Sequence, residues 1–320
     1  MKRVLVIGGA GYLGSVLCRK LLGRGYVVRI LDSLLYTDIG IKDFYDDPNF
    51  EFMKGDVRNV QDIINSMKNV DTVIHLAAIV GDSACSLNPE DTIDVNYLST
   101  KIILWVCKYY KIKRYIFAST CSVYGGSEDR LLTEEDKTKP LSLYAEMKLK
   151  AENTILREKD KDFHPCIIRM ATLYGNSPRM RFDLVVNFFT ANATKNHLVS
   201  LFGGNQKRCF CDVEDAAMAY VECIEAPISK IDGEIFNVSS ENLMIKDLAT
   251  LIADEIPNTK IKTYKKNVDS RSYITTSEKI EHTIGWKAKK SIRQFVNKFD
   301  ENEWNDFEDN LYNNYQYLRE

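Results

Sequence analysis

Apolar runs are short in this chain: none approaches the roughly 18 residues that a membrane-spanning helix needs, so no membrane span is expected. Net charge is equally slight. Forty-three Lys and Arg against 45 Asp and Glu leave a formal charge of −2, which gives no electrostatic reason to expect nucleic acid or a membrane surface as a partner. Histidine is scarce and scattered: His75, His164, His197 and His282 show no metal-ligand spacing, so neither a metal site nor a histidine catalyst is expected. The eight cysteines include no Cys-x-x-Cys pair and no disulfide-framework spacing, the pattern of reduced, buried thiols in a cytoplasmic protein. Cys209 and Cys211, two residues apart, would share one face of a strand. The opening MKRVLVIGGAGYLG lacks a small-residue cleavage site and puts glycines where a signal peptide is most apolar, so it reads as a first strand.

What is present is a chain of 320 residues, 45% hydrophobic, long enough for one large α/β domain and a smaller lobe. Short β-branched runs alternate with amphipathic stretches through the first half. Strands are expected near Arg3–Ile7, Val27–Leu31, Phe50–Lys54, Thr72–Leu76, Tyr115–Ala118 and Cys166–Met170, with helices near Tyr12–Arg24, Val60–Met67, Thr100–Tyr110 and Tyr144–Glu158. Six strands so separated predict a Rossmann-type doubly wound parallel sheet. Beyond about residue 175 the texture changes, with turn residues clustered in Gly175–Met180 and at Gly203-Gly204-Asn205. The division expected is residues 1–175 as the dinucleotide-binding domain and 176–320 as mainly a substrate lobe, with some segments returning to the sheet. Helical patterns recur at Val213–Ile224, Ile245–Glu255 and Ser291–Asn302. Glu301–Glu320, rich in Asn, Asp, Glu and Tyr, reads as a partly exposed helix whose role is not legible.

Gly8-Gly9-Ala10-Gly11-Tyr12-Leu13-Gly14 lies where the first strand meets the first helix. Such a turn brings backbone close to a pyrophosphate and aims a helix N-terminus at it. Gly8, Gly11, Tyr12 and Leu13 are therefore expected to hold a dinucleotide. Asp32 closes the second strand, 18 residues after Gly14, where its carboxylate would accept the ribose hydroxyls of NAD and repel the 2′-phosphate of NADP. Asp56 and Val57 follow the third strand and are placed at the adenine edge. Leu76, Ala77 and Ala78 follow the fourth, where small residues let a ligand lie against backbone, and Asn96 joins this set as a brace at a helix start. His75 reads as a packing residue.

Tyr144-Ala-Glu-Met-Lys148 puts a phenol and an ammonium on one helical face. A neighbouring cation favours phenolate, so the pair suits proton transfer to and from an alcohol. Thr120, just after the fifth strand and 24 residues before Tyr144, supplies a hydroxyl that could align the reacting oxygen.

Taken together, GGAGYLG, GDVR, HLAA, STCSVYG, YAEMK, RMATLYG and the terminal IGWK make the whole chain resemble the extended short-chain dehydrogenase/reductases, in their nucleotide-sugar epimerase/dehydratase branch. The resemblance implies Thr120, Tyr144 and Lys148 as the catalytic set, with Tyr144 as acid/base and Lys148 also binding the nicotinamide ribose. It implies a tightly bound NAD(H), and Asn187, Arg208 and Arg271 as partners of the nucleotide diphosphate. It implies that the segment from Arg169 to Gly175 contacts the nicotinamide and begins the substrate lobe. The local Arg208-Cys209-Phe210 departs from the family's usual Arg-Asp-Phe. A homodimer through a four-helix bundle, two helices per subunit, is implied as well.

The residues after Thr120 narrow the reaction. Sugar 4,6-dehydratases of this kind carry Asp-Glu there, decarboxylating relatives a Glu at the second position, and GDP-fucose-forming epimerase/reductases a Cys at that position. This chain has Cys121 and Ser122. Hydride chemistry at C4 remains. The loop Ala77–Cys85, with STCSVYG, looks like a bacterial capsule or surface-polysaccharide group. Oxidation of a GDP-heptose to its 4-keto-sugar, a GDP-heptose 4-dehydrogenase, is the first expectation. A 4-epimerase of a UDP- or GDP-sugar is the second, and a non-catalytic NAD-sensing regulator is the reading from another class.

Overall fold

The β-branched run at the N-terminus forms the centre of a seven-stranded sheet. In a computed structural model, which describes residues 2–264, 271–300, 304, 312–314 and 318, the strands are β1 (Arg3–Ile7), β2 (Val27–Asp32), β3 (Phe50–Lys54), β4 (Thr72–His75), β5 (Arg114–Thr120), β6 (His164–Met170) and β7 (Ile235–Val238). They lie in the order β7-β6-β5-β4-β1-β2-β3, and every pairing is parallel. The chain leaves β1 for β2 on one side and returns for β4 on the other. That reversal opens a crevice at the carboxyl ends of β1 and β4, where doubly wound sheets bind ligands.

Helices α1 (Tyr12–Leu22), α2 (Val60–Ser66), α3 (Ser99–Tyr109) and α4 (Leu143–Arg157) cover the sheet. Ser142 caps α4, its hydroxyl accepting from the Ala145 N–H at 3.3 Å. The buried face of α4 carries Lys148 and Glu152 among Ala145, Met147, Ala151 and Ile155. Charges on a core-facing stripe are rarely tolerated without partners, and both have them, as described below.

The six expected strands are present within a few residues of their expected limits. The seventh, β7, was not anticipated. It is four residues long and comes from the C-terminal half, so only its pairing with β6 distinguishes it from a loop. The rest of that half builds small sheets around the crevice. One joins Thr172–Tyr174, Lys207–Asp212 and Glu241–Met244; another pairs Ser272–Thr275 with Gly126–Leu132. All eight cysteines are buried free thiols, Cys209 and Cys211 included. Among the described residues no helix is long and apolar enough to cross a membrane. Of the expected terminal helix, most lies outside the described residues, but Asn314 is buried rather than exposed.

Candidate active site

The glycine turn after β1 is required by geometry. Gly8 has φ +87°, and a Cβ there would stand 2.5 Å from the Ala77 backbone nitrogen. A Cβ on Gly14 would meet the Gly8 carbonyl at 2.5 Å, so α1 and β1 pack at a distance only glycine allows. Gly11 is the N-cap of α1 without a side-chain cap, and the first turn of α1 holds no acidic residue. The free N–H groups and positive helix end therefore face a cavity of about 540 Å³ lined by Gly8, Gly11, Tyr12 and Leu13. Tyr12 does more than line it. Its hydroxyl donates to the Gly175 carbonyl at 2.6 Å, tying the turn to the chain's second half.

Asp32, at the end of β2, accepts from the N–H of Ala10 at 2.9 Å and of Leu34 at 2.9 Å. Burial raises its carboxyl above the ordinary range, opposed by those two N–H groups and by Arg179. Asp56 and Val57 line the cavity, but the Asp56 carboxylate is already gripped by Arg58, at 2.6 Å to Nη2. Leu76, Ala77 and Ala78 line it as expected. Asn96 does not. Its amide is used in both directions on Ile79, donating to the carbonyl at 2.8 Å and accepting from the N–H at 2.8 Å. It braces the loop leaving β4 from behind. His75 is buried against Tyr115 and held near 3 by burial and by Lys148, hence neutral and outside the cavity.

Thr120, Tyr144 and Lys148 all line this one cavity. Thr120 is the last residue of β5, and its hydroxyl accepts from the Ser122 N–H at 3.1 Å. Lys148 is 1% exposed, donates to the Ala118 carbonyl at 2.8 Å and lies 4.7 Å from the centre of the Phe117 ring. Burial lowers its ammonium to about 8. Tyr144 runs the other way from the expectation of a cation-lowered phenol. Burial raises it, the nearby Cys85 and Asp82 add to the rise, and only Arg181 opposes them. The Lys148 ammonium is turned toward Ala118, so in the protein alone the Tyr144 phenol keeps its proton at neutral pH.

Behind these groups runs a buried network that the sequence did not reveal. Glu152, one turn beyond Lys148, accepts from Ser119, the neighbour of Thr120, and from Arg169 Nη2 at 2.8 Å. Arg169 also donates to the Tyr124 hydroxyl at 2.9 Å, which in turn donates to Asn237 at 2.8 Å. Arg169 thus points away from the cavity. Met170, Ala171, Thr172 and Leu173 are the members of its segment that line it.

At the far end, Arg208 and Arg271 line the cavity and touch each other, Arg208 donating to the Arg271 carbonyl while Arg271 pairs with Asp82. Arg208 also stands 5.3 Å over the Tyr273 ring, and the Tyr273 and Ser122 hydroxyls are 3.0 Å apart. Asn187 is a correction. It is fully buried, accepts from the Gly175 N–H at 3.0 Å and donates to the Tyr12 hydroxyl and the Arg181 carbonyl, so it positions other groups and does not line the cavity. Lining residues unforeseen in the sequence include Arg179, Arg181, Tyr273, Asn314 and Leu318. No motif marks them, because they arrive from segments remote in sequence. The lining carboxylates are Asp32, Asp56, Asp82 and Asp91, and no histidine or glutamate lines the cavity among the described residues.

A model of the NAD dependent epimerase/dehydratase family matches residues 4–239. A Methanocaldococcus jannaschii protein provisionally named UDP-glucose 4-epimerase is 31% identical over 306 residues, covering 92% of this chain and 97% of its own. Among solved structures, Pal from Bacillus thuringiensis superposes with a TM-score of 0.85 at 28% identity, over 94% of this chain and 98% of its own. MoeE5 in complex with UDP-glucuronic acid and NAD gives a TM-score of 0.79 at 25% identity, over 92% and 96%.

Proposed function

Since the chain belongs to the NAD dependent epimerase/dehydratase family, we propose that it oxidises C4 of a nucleotide-activated sugar with NAD, through Tyr144, Lys148 and Thr120. The observation that carries this reading is that these three side chains share one cavity with the glycine turn and Asp32. The residues fit a dinucleotide on steric grounds, because Cβ atoms at Gly8 and Gly14 would collapse the turn that opens the cavity to the N-terminus of α1. Asp32 suits a ribose diol and opposes a 2′-phosphate.

When bound, the nicotinamide supplies the hydride acceptor and, in reverse, the donor. The protein's part is proton handling and alignment. Tyr144 takes the C4 hydroxyl proton as general base and returns it as general acid. Thr120 hydrogen-bonds the reacting oxygen, and Lys148 presents a buried cation one helical turn from the phenol. Arg208 and Arg271 face the diphosphate, for which guanidinium groups are suited. Elimination or decarboxylation would need a carboxylate beside Thr120. Cys121 there is fully buried with its thiol on the Arg169 carbonyl, and Ser122 is hydrogen-bonded to Tyr273.

Two finer readings follow. A GDP-heptose 4-dehydrogenase releasing a 4-keto-sugar for capsular or surface polysaccharide is supported by the Ala77–Cys85 and STCSVYG segments. A 4-epimerase with retained NAD is supported by the archaeal relative's name. The test is a panel of GDP- and UDP-sugars given with NAD or NADP. A GDP-heptose converted to a keto-sugar with NADH formed, and NADP not accepted, supports the dehydrogenase. Interconversion of C4 epimers without net NADH supports the epimerase, and no turnover of any nucleotide sugar sinks both.

The same reading includes a homodimer through α3 and α4. Trp105 is 62% and Tyr109 72% exposed on α3, their rings stacked at 6.1 Å, an apolar pair that a second copy would cover. Sedimentation velocity at micromolar concentration should give one species of twice the 36.7 kDa chain mass, and Trp105→Glu should shift it toward monomer. A monomeric wild-type chain would rule the dimer out.

A further inference from the structure

The chain's second half brings a buried cation to the glycine turn. From Gly175 the backbone runs beside the first turn of α1 and is stitched to it. The Ser177 hydroxyl donates to the Tyr12 carbonyl at 2.7 Å and lies 3.0 Å from the Ser15 hydroxyl, while the Tyr12 hydroxyl reaches back to Gly175. Two residues further on, Arg179 comes up against the turn. Gly40 fits between them: a Cβ there would meet the Ala10 carbonyl at 2.6 Å and the Arg179 Cβ at 3.3 Å. Arg179 is 2% exposed, and it lines the cavity together with Gly11, Tyr12 and Asp32. Its guanidinium carbon lies 4.3 Å from the centre of the Tyr36 ring, and Nη2 donates to the Asn314 side-chain oxygen at 2.7 Å. Stacking and hydrogen bonding thus fix the orientation of the head group.

We propose that Arg179 binds the pyrophosphate of the dinucleotide, together with the N-terminus of α1. The proposal rests on the reading of this cavity as the NAD site. The end of α1 supplies free N–H groups and about half a positive charge, less than a pyrophosphate carries in negative charge. A guanidinium adds a full charge and a fork of N–H donors suited to phosphate oxygens. Position separates Arg179 from the other arginines that line the cavity. Arg58 is engaged with Asp56 and Asp91, Arg181 with Asp183 at 2.5 Å, and Arg208 and Arg271 meet at the far end. The electrostatics agree with the geometry. Burial and the like charge of Arg181 lower the Arg179 guanidinium to about 10, opposed by Asp183 and Asp32. A buried cation beside a second cation gains from an anion placed against it. Asp32 and Arg179 then divide the adenosine half of the ligand, the carboxylate taking the ribose diol and the guanidinium the phosphates.

The test compares the wild-type chain with Arg179→Met, which keeps an apolar stem on Tyr36 without the charge, and Arg179→Lys, which keeps the charge without the fork. Each is freed of co-purified dinucleotide and titrated with NADH by fluorescence. ADP-ribose and adenosine are then measured as competitors, and GDP and UDP by calorimetry. Arg179→Met should bind NADH and ADP-ribose about tenfold to a hundredfold more weakly, the value of a hydrogen bond to a charged group. Adenosine, which has no phosphate, should bind both chains alike, as should GDP and UDP. Arg179→Lys should recover part of the loss. If Arg179→Met does not fold by circular dichroism, Arg179→Lys decides alone: a several-fold loss on ADP-ribose with adenosine unchanged is expected, and no loss overturns the proposal. Equal binding of ADP-ribose to the wild type and Arg179→Met overturns it as well, and so do equal losses on ADP-ribose and adenosine. A loss on GDP or UDP overturns it by putting Arg179 at the diphosphate of the sugar substrate. A wild-type chain that binds neither NADH nor ADP-ribose overturns the site reading itself, a separate result.

Discussion

Tyr144→Phe will bind NADH as the wild type does and lose about 10²- to 10⁴-fold in the rate of sugar oxidation, the range contributed by a placed general acid or base. The loss is expected to be this large because nothing beside Tyr144 can replace it. No histidine or glutamate lines the cavity among the described residues, and its four carboxylates are engaged, Asp82 with Arg271, Asp56 and Asp91 with Arg58, and Asp32 with the N–H groups of Ala10 and Leu34; the Lys148 ammonium is committed to the Ala118 carbonyl, and the Tyr273 phenol is raised by burial and paired with Ser122. The sign of the pH dependence follows from the same environment. Burial raises the Tyr144 phenol, so at neutral pH it is protonated and oxidation must wait for the proton to leave. In the wild type kcat/KM for oxidation should climb as pH rises above neutrality, and in Tyr144→Phe that climb should vanish. Steady-state NADH formation across pH 6.5–10, a range set by the ordinary phenol value of about 10, reads both. A variant within fivefold of the wild type, or one that keeps the same climb, would falsify the acid/base assignment.

The second large effect is on stability. Arg169→Met should cost about 3–5 kcal/mol, because it leaves Glu152 as an uncompensated buried charge. Arg169 is 4% and Glu152 1% exposed at the side chain, and the pair joins β6 to α4. Ser119 and Tyr124 complete the network, so one cluster fixes the end of β5 that presents Thr120 and the helix that presents Lys148. Burial works against the Arg169 charge, and Glu152 more than offsets it, holding the guanidinium protonated. The double variant Arg169→Met with Glu152→Leu should recover a large part of the loss, since replacing both members removes the stranded charge. Denaturant unfolding followed by tryptophan fluorescence measures both. A single-variant loss below about 1 kcal/mol would mean that water reaches Glu152 and that the network carries little of the fold.

The parts of this site that were legible in the sequence are those built from local constraints. The glycine turn, Asp32 and the Tyr144–Lys148 spacing each encode a requirement within a few residues: a backbone approach, a strand end, one face of a helix. All of them line the cavity. The illegible parts depend on which remote segment meets the crevice. Asn187 and Asn96 are polar, well placed in sequence and yet wholly used inside the protein, on Tyr12 and Ile79. Arg169 resembles a cofactor contact until Glu152 is seen across from it. Glu152 itself gave no signal, because a Glu on a helix is ordinarily solvated and only the packing of α4 shows that this one faces inward. The four residues of β7 carry too short a pattern to separate a strand from a loop.

That late strand has a consequence during synthesis. β6 is an interior strand of the finished sheet only because Ile235–Val238 pairs along it. The ribosome reads from Met170 to Val238 before that partner exists, several seconds at roughly 5–20 residues per second. Through that interval β6, with the run Cys166-Ile167-Ile168, is an unpaired apolar edge of the kind that recruits other chains. The nascent N-terminal half therefore passes through a sticky stage before its own C-terminal half closes it.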